Sequence, residues 1–203
     1  MYRLLMETHL EDFPAVVIVG PRQCGKTTLL GDLPLAWKRF DLERQSDYQQ
    51  ISRDPDLFLR LNPSRIAIDE GQMLPSLFPA LRVAIDDDRQ TRGRFVVTGS
   101  SSPDLLECIS ESLAGRVAVI EMAPLSMPEA FALTPSPIAS ALGERWTLER
   151  LADELEAFVA GPRSGLPVKE IHRYWFRGGY PEPWVRGTDR FHRAWMESDG
   201  QTY

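Results

Sequence analysis

The run Ala15-Val-Val-Ile-Val-Gly-Pro-Arg-Gln-Cys-Gly-Lys-Thr27 decides how this chain folds. Its first part is a short, continuous apolar stretch rich in β-branched residues, closed at once by Gly20 and Pro21. Such a run reads as a strand buried on both faces of a parallel sheet. Its second part matches G-x-x-x-x-G-K-[ST]. Glycines at these positions permit backbone angles and a close approach that side chains would block. Backbone N–H groups then converge on phosphate oxygens, and the helix opening at Thr28-Leu29-Leu30 aims its positive end at them. Gly20, Pro21, Arg22, Gln23, Cys24, Gly25, Lys26, Thr27 and Thr28 are therefore the candidate phosphate-binding residues. Lys26 is expected on the β- and γ-phosphates, and the Thr27 hydroxyl on Mg²⁺. Cys24 reads as a filler position facing away from the phosphates; the alternative is an oxidation-sensitive thiol, because helix N-termini activate cysteines.

Outward from this loop, strand and helix alternate. Further strands are expected at Trp37–Asp41, Arg65–Asp69, Arg94–Thr98 and Arg116–Glu121. Helices are expected from Lys26, over Asp47–Leu61, over Pro75–Asp87, and over Pro103–Leu113 with Ser102 as N-cap. In the last of these, Leu105, Leu106, Ile109 and Leu113 share one stripe. The alternation implies βαβ units with helices on both sheet faces. After about Met127 the pattern changes, with prolines at 124, 128, 135 and 137 and no further strong strand. Amphipathic helices are expected over Trp146–Ala160 and Ile171–Phe176, the second ending at Gly178-Gly179. The expected division is a core of residues 1–127 and a small helical second domain of residues 128–203.

Ile66-Ala-Ile-Asp-Glu70 ends an apolar strand on two carboxylates. Ligands of parallel α/β sheets lie at the carboxyl ends of the strands. Asp69 is thus the candidate metal ligand, and Glu70 the candidate base for an attacking water. A GTPase would carry D-x-x-G and N-K-x-D motifs, and neither is present. Small-molecule kinases ordinarily lack a base beside this aspartate, since it would waste ATP on water. Thr98 and Ser100 close the next strand, where a hydroxyl can reach the γ-phosphate or the water. Arg116, in Leu113-Ala-Gly-Arg116, is a candidate for stabilising transition-state charge, in cis or from a neighbouring subunit.

Composition narrows the class. The 203 residues are 43% hydrophobic and 26% charged, as in an ordinary globular protein. The formal net charge of -6 argues against broad nucleic-acid binding, which needs clustered cations. The cations around Lys169, Arg173, Arg177, Arg186 and Arg190 read as a solvated helical face. Cys24 and Cys108 form no CxxC pair, and His9, His172 and His192 have no metal-ligand spacing, so neither a zinc site nor a disulfide framework is expected. The N-terminal segment has no long apolar core and no stretch approaches a membrane span, so a cytoplasmic location is expected.

Together these segments resemble a known family. Gly20–Leu30, Phe40-Asp-Leu-Glu43, Ile68-Asp-Glu-Gly-Gln72, Leu77-Phe-Pro-Ala-Leu-Arg82, Thr98-Gly-Ser-Ser-Ser-Pro103, Ser112-Leu-Ala-Gly-Arg116 and Arg177-Gly-Gly-Tyr-Pro-Glu182 resemble the AAA+-like bacterial and archaeal ATPases that usually precede a C-terminal domain of unknown function. The resemblance implies a P-loop NTPase α/β fold, with five parallel strands in the order 5-1-4-3-2 between helices, plus a small helical lid. It implies sensor roles for Thr98 or Ser100 and an arginine role for Arg116. The chain is also similar to the signal-transduction ATPases with numerous domains, whose lid carries a G-x-P motif. That similarity implies that Pro181, in Gly179-Tyr-Pro181, packs on adenine, and that Arg177 reaches phosphate. Gly71 stands where the family more often has a larger residue, which is expected to loosen the turn after Glu70. The family's C-terminal domain is missing, which implies a truncated form or a separate protein partner, with self-association as a further expectation. The expected activity is Mg²⁺-dependent ATP hydrolysis; the alternative is a nucleotide-dependent switch with little turnover.

Overall fold

The computed structural model describes residues 2–133 and 165–199. The chain divides into two compact units between Ala123 and Pro124. The first unit runs α1 (Tyr2–Asp12), β1 (Ala15–Gly20), α2 (Lys26–Gly31), β2 (Lys38–Asp41), α3 (Gln45–Ser52), α4 (Pro55–Leu61) and β3 (Ile66–Asp69). A short 3-10 turn (Gly71–Met73), α5 (Leu77–Asp87), β4 (Phe95–Ser100), α6 (Pro103–Leu113) and β5 (Val117–Glu121) complete it. The five strands form one parallel sheet in the order β2-β3-β4-β1-β5. Read from the other edge, this is the expected 5-1-4-3-2.

Strand side chains alternate between faces, and here both faces are covered. Ala15, Val17 and Val19 of β1 join one core, with Ile66 and Ile68 of β3 and Phe95 and Val97 of β4. Val16, Ile18, Ala67 and Val96 point into the other. The first core is covered by α3 to α6, through residues such as Ile51, Phe58, Phe78, Leu81, Leu105 and Ile109. The second is covered by α1 and α2, through Met6, Leu29 and Leu30. Burial on both sides is why the central strands read as unbroken apolar runs. At the edge, β5 buries Ala118 and Ile120 in the second core, packs a half-buried Val117 against the first, and leaves Val119 and Glu121 exposed.

Two local expectations are corrected. The helix expected over Asp47–Leu61 is two helices, broken between Ser52 and Pro55. Asp54 adopts φ -159°, outside the helical region, and its side chain accepts the Leu57 N–H at 2.9 Å. A residue before proline is disfavoured in a helix, while proline itself suits the first helical position, so Asp54 caps and Pro55 starts. The other correction is α1, which the sequence reading did not anticipate. Tyr2, Met6 and Leu10 of α1 pack on the second core, and of these three only Met6 is fully buried.

The second unit contains α7 (Met127–Ala130), α8 (Val168–Arg177), α9 (Pro181–Arg186) and α10 (Asp189–Asp199). The helix expected over Trp146–Ala160 lies outside the described residues. Trp184 centres this unit. Its indole N–H donates to the Gly178 carbonyl at 2.7 Å, and its ring meets Phe131 edge-on at 5.0 Å and stacks on Tyr174 at 6.1 Å. Lys169, Arg173, Arg186 and Arg190 are exposed, as a solvated face requires. Arg177 departs from it. It is buried, and it donates to the Gly187 carbonyl and to Asp189 Oδ1, each at 2.6 Å. Both of these bonds come from one nitrogen, Nη2, while Nε and Nη1 are buried with no hydrogen-bond partner among the described residues.

Phe78 has no exposed surface and packs within the larger core. Phe78→Ala is expected to cost about 3–5 kcal/mol of unfolding free energy, measured by urea denaturation. A loss below about 1 kcal/mol would mean that this core is not closely packed.

Candidate functional site

The loop between β1 and α2 begins at a glycine that nothing larger can replace. A Cβ on Gly20 would lie 2.3 Å from the Met122 carbonyl oxygen, which is backbone and cannot turn aside. Met122 N–H in turn donates to the Val19 carbonyl at 2.7 Å, so the end of β1 is bound closely to the chain leaving β5. Beyond Gly20 the backbone enters the left-handed region twice, at Gln23 (φ 60°) and Gly25 (φ 107°). Such reversals curl successive N–H groups toward one side and make an anion-binding concavity. Lys26 is buried, and its ammonium donates to the carbonyls of Gly20 at 2.9 Å and Pro21 at 2.8 Å. Arg22, Gln23, Thr27 and Thr28 are exposed, and Pro21 is partly so. Cys24 is buried, and burial pushes its thiol pKa up, against a smaller lowering by Lys26. This matches the filler reading and not the reactive thiol.

Asp69 closes β3 and is buried at 5% exposure. The Thr98 hydroxyl donates to its Oδ1, and the Glu70 N–H donates to the same oxygen at 3.1 Å. The carboxylate is thereby oriented from β4. Thr98 itself is fully buried, with its hydroxyl engaged by Asp69. Asp69 and Thr27 line the same cavity of about 280 Å³, which extends to Phe40, Asp41, Arg44 and Asp47 at the end of β2. Two hard oxygen donors facing one space suit Mg²⁺.

Glu70 sits in the left-handed region at φ 57° and ψ 45°, an uncommon conformation for a residue with a Cβ. The 3-10 turn after it is held against β4. A Cβ on Gly71 would lie 2.6 Å from Val97 Cγ1 and 3.2 Å from the Thr98 carbonyl oxygen. Gly71 therefore lets the turn lie flat on β4, contrary to the expectation that it loosens the turn. Gln72 was given no separate role by the sequence reading. Its amide Nε2 donates to Glu70 Oε2, and its Oε1 accepts the Ser100 N–H at 3.2 Å. Nothing in residue spacing signals this, because the bridge depends on a turn geometry that places position 72 beside the end of β4.

Ser100 stands at the end of β4, and the following Ser101 N–H donates to the Gly20 carbonyl at 3.2 Å, so β4 and the loop share one edge. Arg116 is elsewhere. β5 is parallel to β1, with Val117 level with Ala15. Arg116 thus lies at the amino end of the sheet, roughly 17–20 Å along the strands from Gly20 at about 3.3 Å per residue. Its guanidinium grips Asp86 with two 2.9 Å bonds. A role for Arg116 in cis is corrected: the side chain cannot reach its own loop. Pro181 is the first residue of α9, after a turn in which the Gly179 carbonyl accepts the Leu125 N–H at 2.7 Å. A Cβ at Gly179 would meet the Leu125 carbonyl oxygen at 2.3 Å, so this glycine also serves a built turn.

The sheet order, the curled loop and the oxygen donors beside it define a P-loop ATPase fold. Residues 12–131 match the AAA_14 family, described as AAA domain, and the chain belongs to that family. It is 44% identical over 191 residues to the uncharacterized protein Rv2008c of Mycobacterium tuberculosis (strain ATCC 25618 / H37Rv). It is equally similar to the uncharacterized protein Mb2031c of Mycobacterium bovis (strain ATCC BAA-935 / AF2122/97). The match covers 91% of this chain and 34% of each relative, so the chain spans about a third of their length. Among solved structures it is similar to the Walker-type ATPase PABY2304 of Pyrococcus abyssi, with a TM-score of 0.50 and 15% identity over 90% of this chain and 64% of that one. It is also similar to PH0952 of Pyrococcus horikoshii, a signal-transduction ATPase with numerous domains and a tetratricopeptide repeat sensor. There the TM-score is 0.50 and the identity 15%, over 90% of this chain and 28% of that one. At this identity the two structures speak for the fold. No helix of the described residues is long and apolar enough to cross a membrane.

The Arg116 hydrogen bonds, with a further contribution from Arg89, lower the Asp86 pKa from 3.8 to about 2. A carboxylate lowered on folding adds stability that is fully present above its unfolded value and is lost as pH falls through its folded one. The Asp86 carboxyl is therefore expected to titrate by NMR with a midpoint near 2, rising toward 3.8 in Arg116→Ala. A wild-type midpoint near 3.8 would mean that the pair is open in solution.

Proposed function

We propose that this chain binds Mg²⁺·ATP on the β1–α2 loop and hydrolyses it. The observation that carries the reading is the meeting, at one edge of the sheet, of the curled loop with its buried lysine and of an oriented Asp69 followed by Glu70. In this reading Lys26 exchanges its carbonyl partners for β- and γ-phosphate oxygens. The loop amides take the remaining phosphate charge. Thr27 and Asp69 hold Mg²⁺, which neutralises charge developing on the phosphates. Glu70 orients the attacking water and accepts its proton, and Ser100 is the polar group nearest the β4 end for contact with the γ-phosphate.

The two outlying residues have narrower roles. Arg116, out of reach of its own loop, acts in trans on the site of a second copy, and this requires self-association. Pro181 packs on the adenine ring, with its position fixed by the Gly179 turn.

Calorimetry and phosphate release test the reading. Lys26→Ala is expected to weaken Mg²⁺·ATP binding on the order of 10–100-fold, as loss of one or two charged hydrogen bonds predicts. Glu70→Gln should hold ATP within about 2-fold of wild type while release falls by ~10²–10⁴. If Lys26→Ala binds as well as wild type, the loop is not the site. If binding depends on Lys26 but release is equally slow in wild type and Glu70→Gln, the chain is a nucleotide-dependent switch. In the same assays Pro181→Ala weakens binding without touching turnover at saturation. Arg116→Ala lowers turnover without touching binding.

A further inference from the structure

The Gln72 side chain joins two parts of the site that the backbone does not connect. One end of its amide is on the Glu70 carboxylate, and the other is on the Ser100 N–H of β4. The direction of the amide follows from its partners. A carboxylate oxygen only accepts and a backbone N–H only donates, so nitrogen faces Glu70 and oxygen faces Ser100. Space is kept for it as well. A Cβ on Gly99 would lie 2.7 Å from Gln72 Oε1, so the missing side chain at position 99 is what admits the amide. The backbone that carries both residues is held firmly: Glu70 by its N–H bond to Asp69 Oδ1 at 3.1 Å, Gly71 by its packing on Val97, and Met73 by its N–H bond to the Glu70 carbonyl at 2.9 Å. Against that fixed backbone, the Glu70 side chain keeps its own torsions, and within reach of it the Gln72 amide restrains them.

We propose that Gln72 is the positioning residue for Glu70. It sets the direction of the water-activating carboxylate and ties that direction to the end of β4, where Ser100 stands. The proposal rests on the reading of Glu70 as the base. The same amide holds the Ser100 N–H through its oxygen and the carboxylate through its nitrogen, so the two are fixed together. The amide acts on the carboxylate and not on the nucleotide, so turnover depends on Gln72 and ATP affinity does not.

A double-mutant cycle in this chain tests it, with calorimetric ATP affinity and single-turnover phosphate release as readouts. Gln72→Met keeps the length of the side chain and removes both hydrogen bonds. It is expected to lower release about 10-fold, with ATP affinity within about 2-fold, and to add no further loss to Glu70→Gln. Exchange of the Ser100 amide hydrogen, followed by NMR without nucleotide, is expected to quicken in Gln72→Met. Unchanged release, a loss that multiplies with that of Glu70→Gln, or unchanged Ser100 exchange would overturn the role of Gln72. Failure of the underlying reading looks different: Glu70→Gln would then release phosphate as fast as wild type, whatever stands at position 72.

Discussion

The approach of Met122 to Gly20 is the constraint on which the rest of the site depends. With the Met122 carbonyl oxygen occupying the place where a Cβ would go, β1 ends hard against the segment leaving β5. The loop must therefore turn at once, and it turns over the ends of β1 and β4, where Ser101 N–H binds the Gly20 carbonyl. Loop, acidic pair and β4 hydroxyl then share one edge because all five strands run the same way. A single close backbone contact, possible only at glycine, fixes where the chain leaves β1 and begins the curled loop.

The site is built from shared supports. Thr98 steers Asp69; the Asp69 carboxylate holds the Glu70 amide; Gly71 and Gly99 bring the turn and β4 together, and Gln72 spans them. All of these contacts but the Asp69–Glu70 one join β3, or the turn after it, to β4. The left-handed angle at Glu70 persists because its surroundings over-determine it, as strained residues at such positions require.

Much of this was legible in the residues. The apolar runs of β1, β3 and β4 mark buried parallel strands because both faces are covered, and the phosphate-loop spacing marks the turn after β1. The resemblance supplied the strand order. What could not be read has physical reasons. The break at Asp54-Pro55 lies inside a stretch whose apolar spacing continues on both sides. Among the described residues of helix α1, Met6 alone is fully buried. Arg116 is adjacent in sequence to a strand that ends at the site, yet it sits at the strand's other end, a distinction that needs the direction of β5 and its pairing with β1. Thr98 and Gln72 act through neighbours that are 29 and 28 residues away, and no local pattern encodes those bonds.

The grip of the Lys26 ammonium on the Gly20 and Pro21 carbonyls has a consequence for how the loop meets a ligand. The cation acts as an internal cross-link that keeps the loop curled on its own, so little ordering entropy is left to lose when a polyanion arrives. In the proposed reading, recognition is a handover, in which one set of oxygens leaves the ammonium as another comes in.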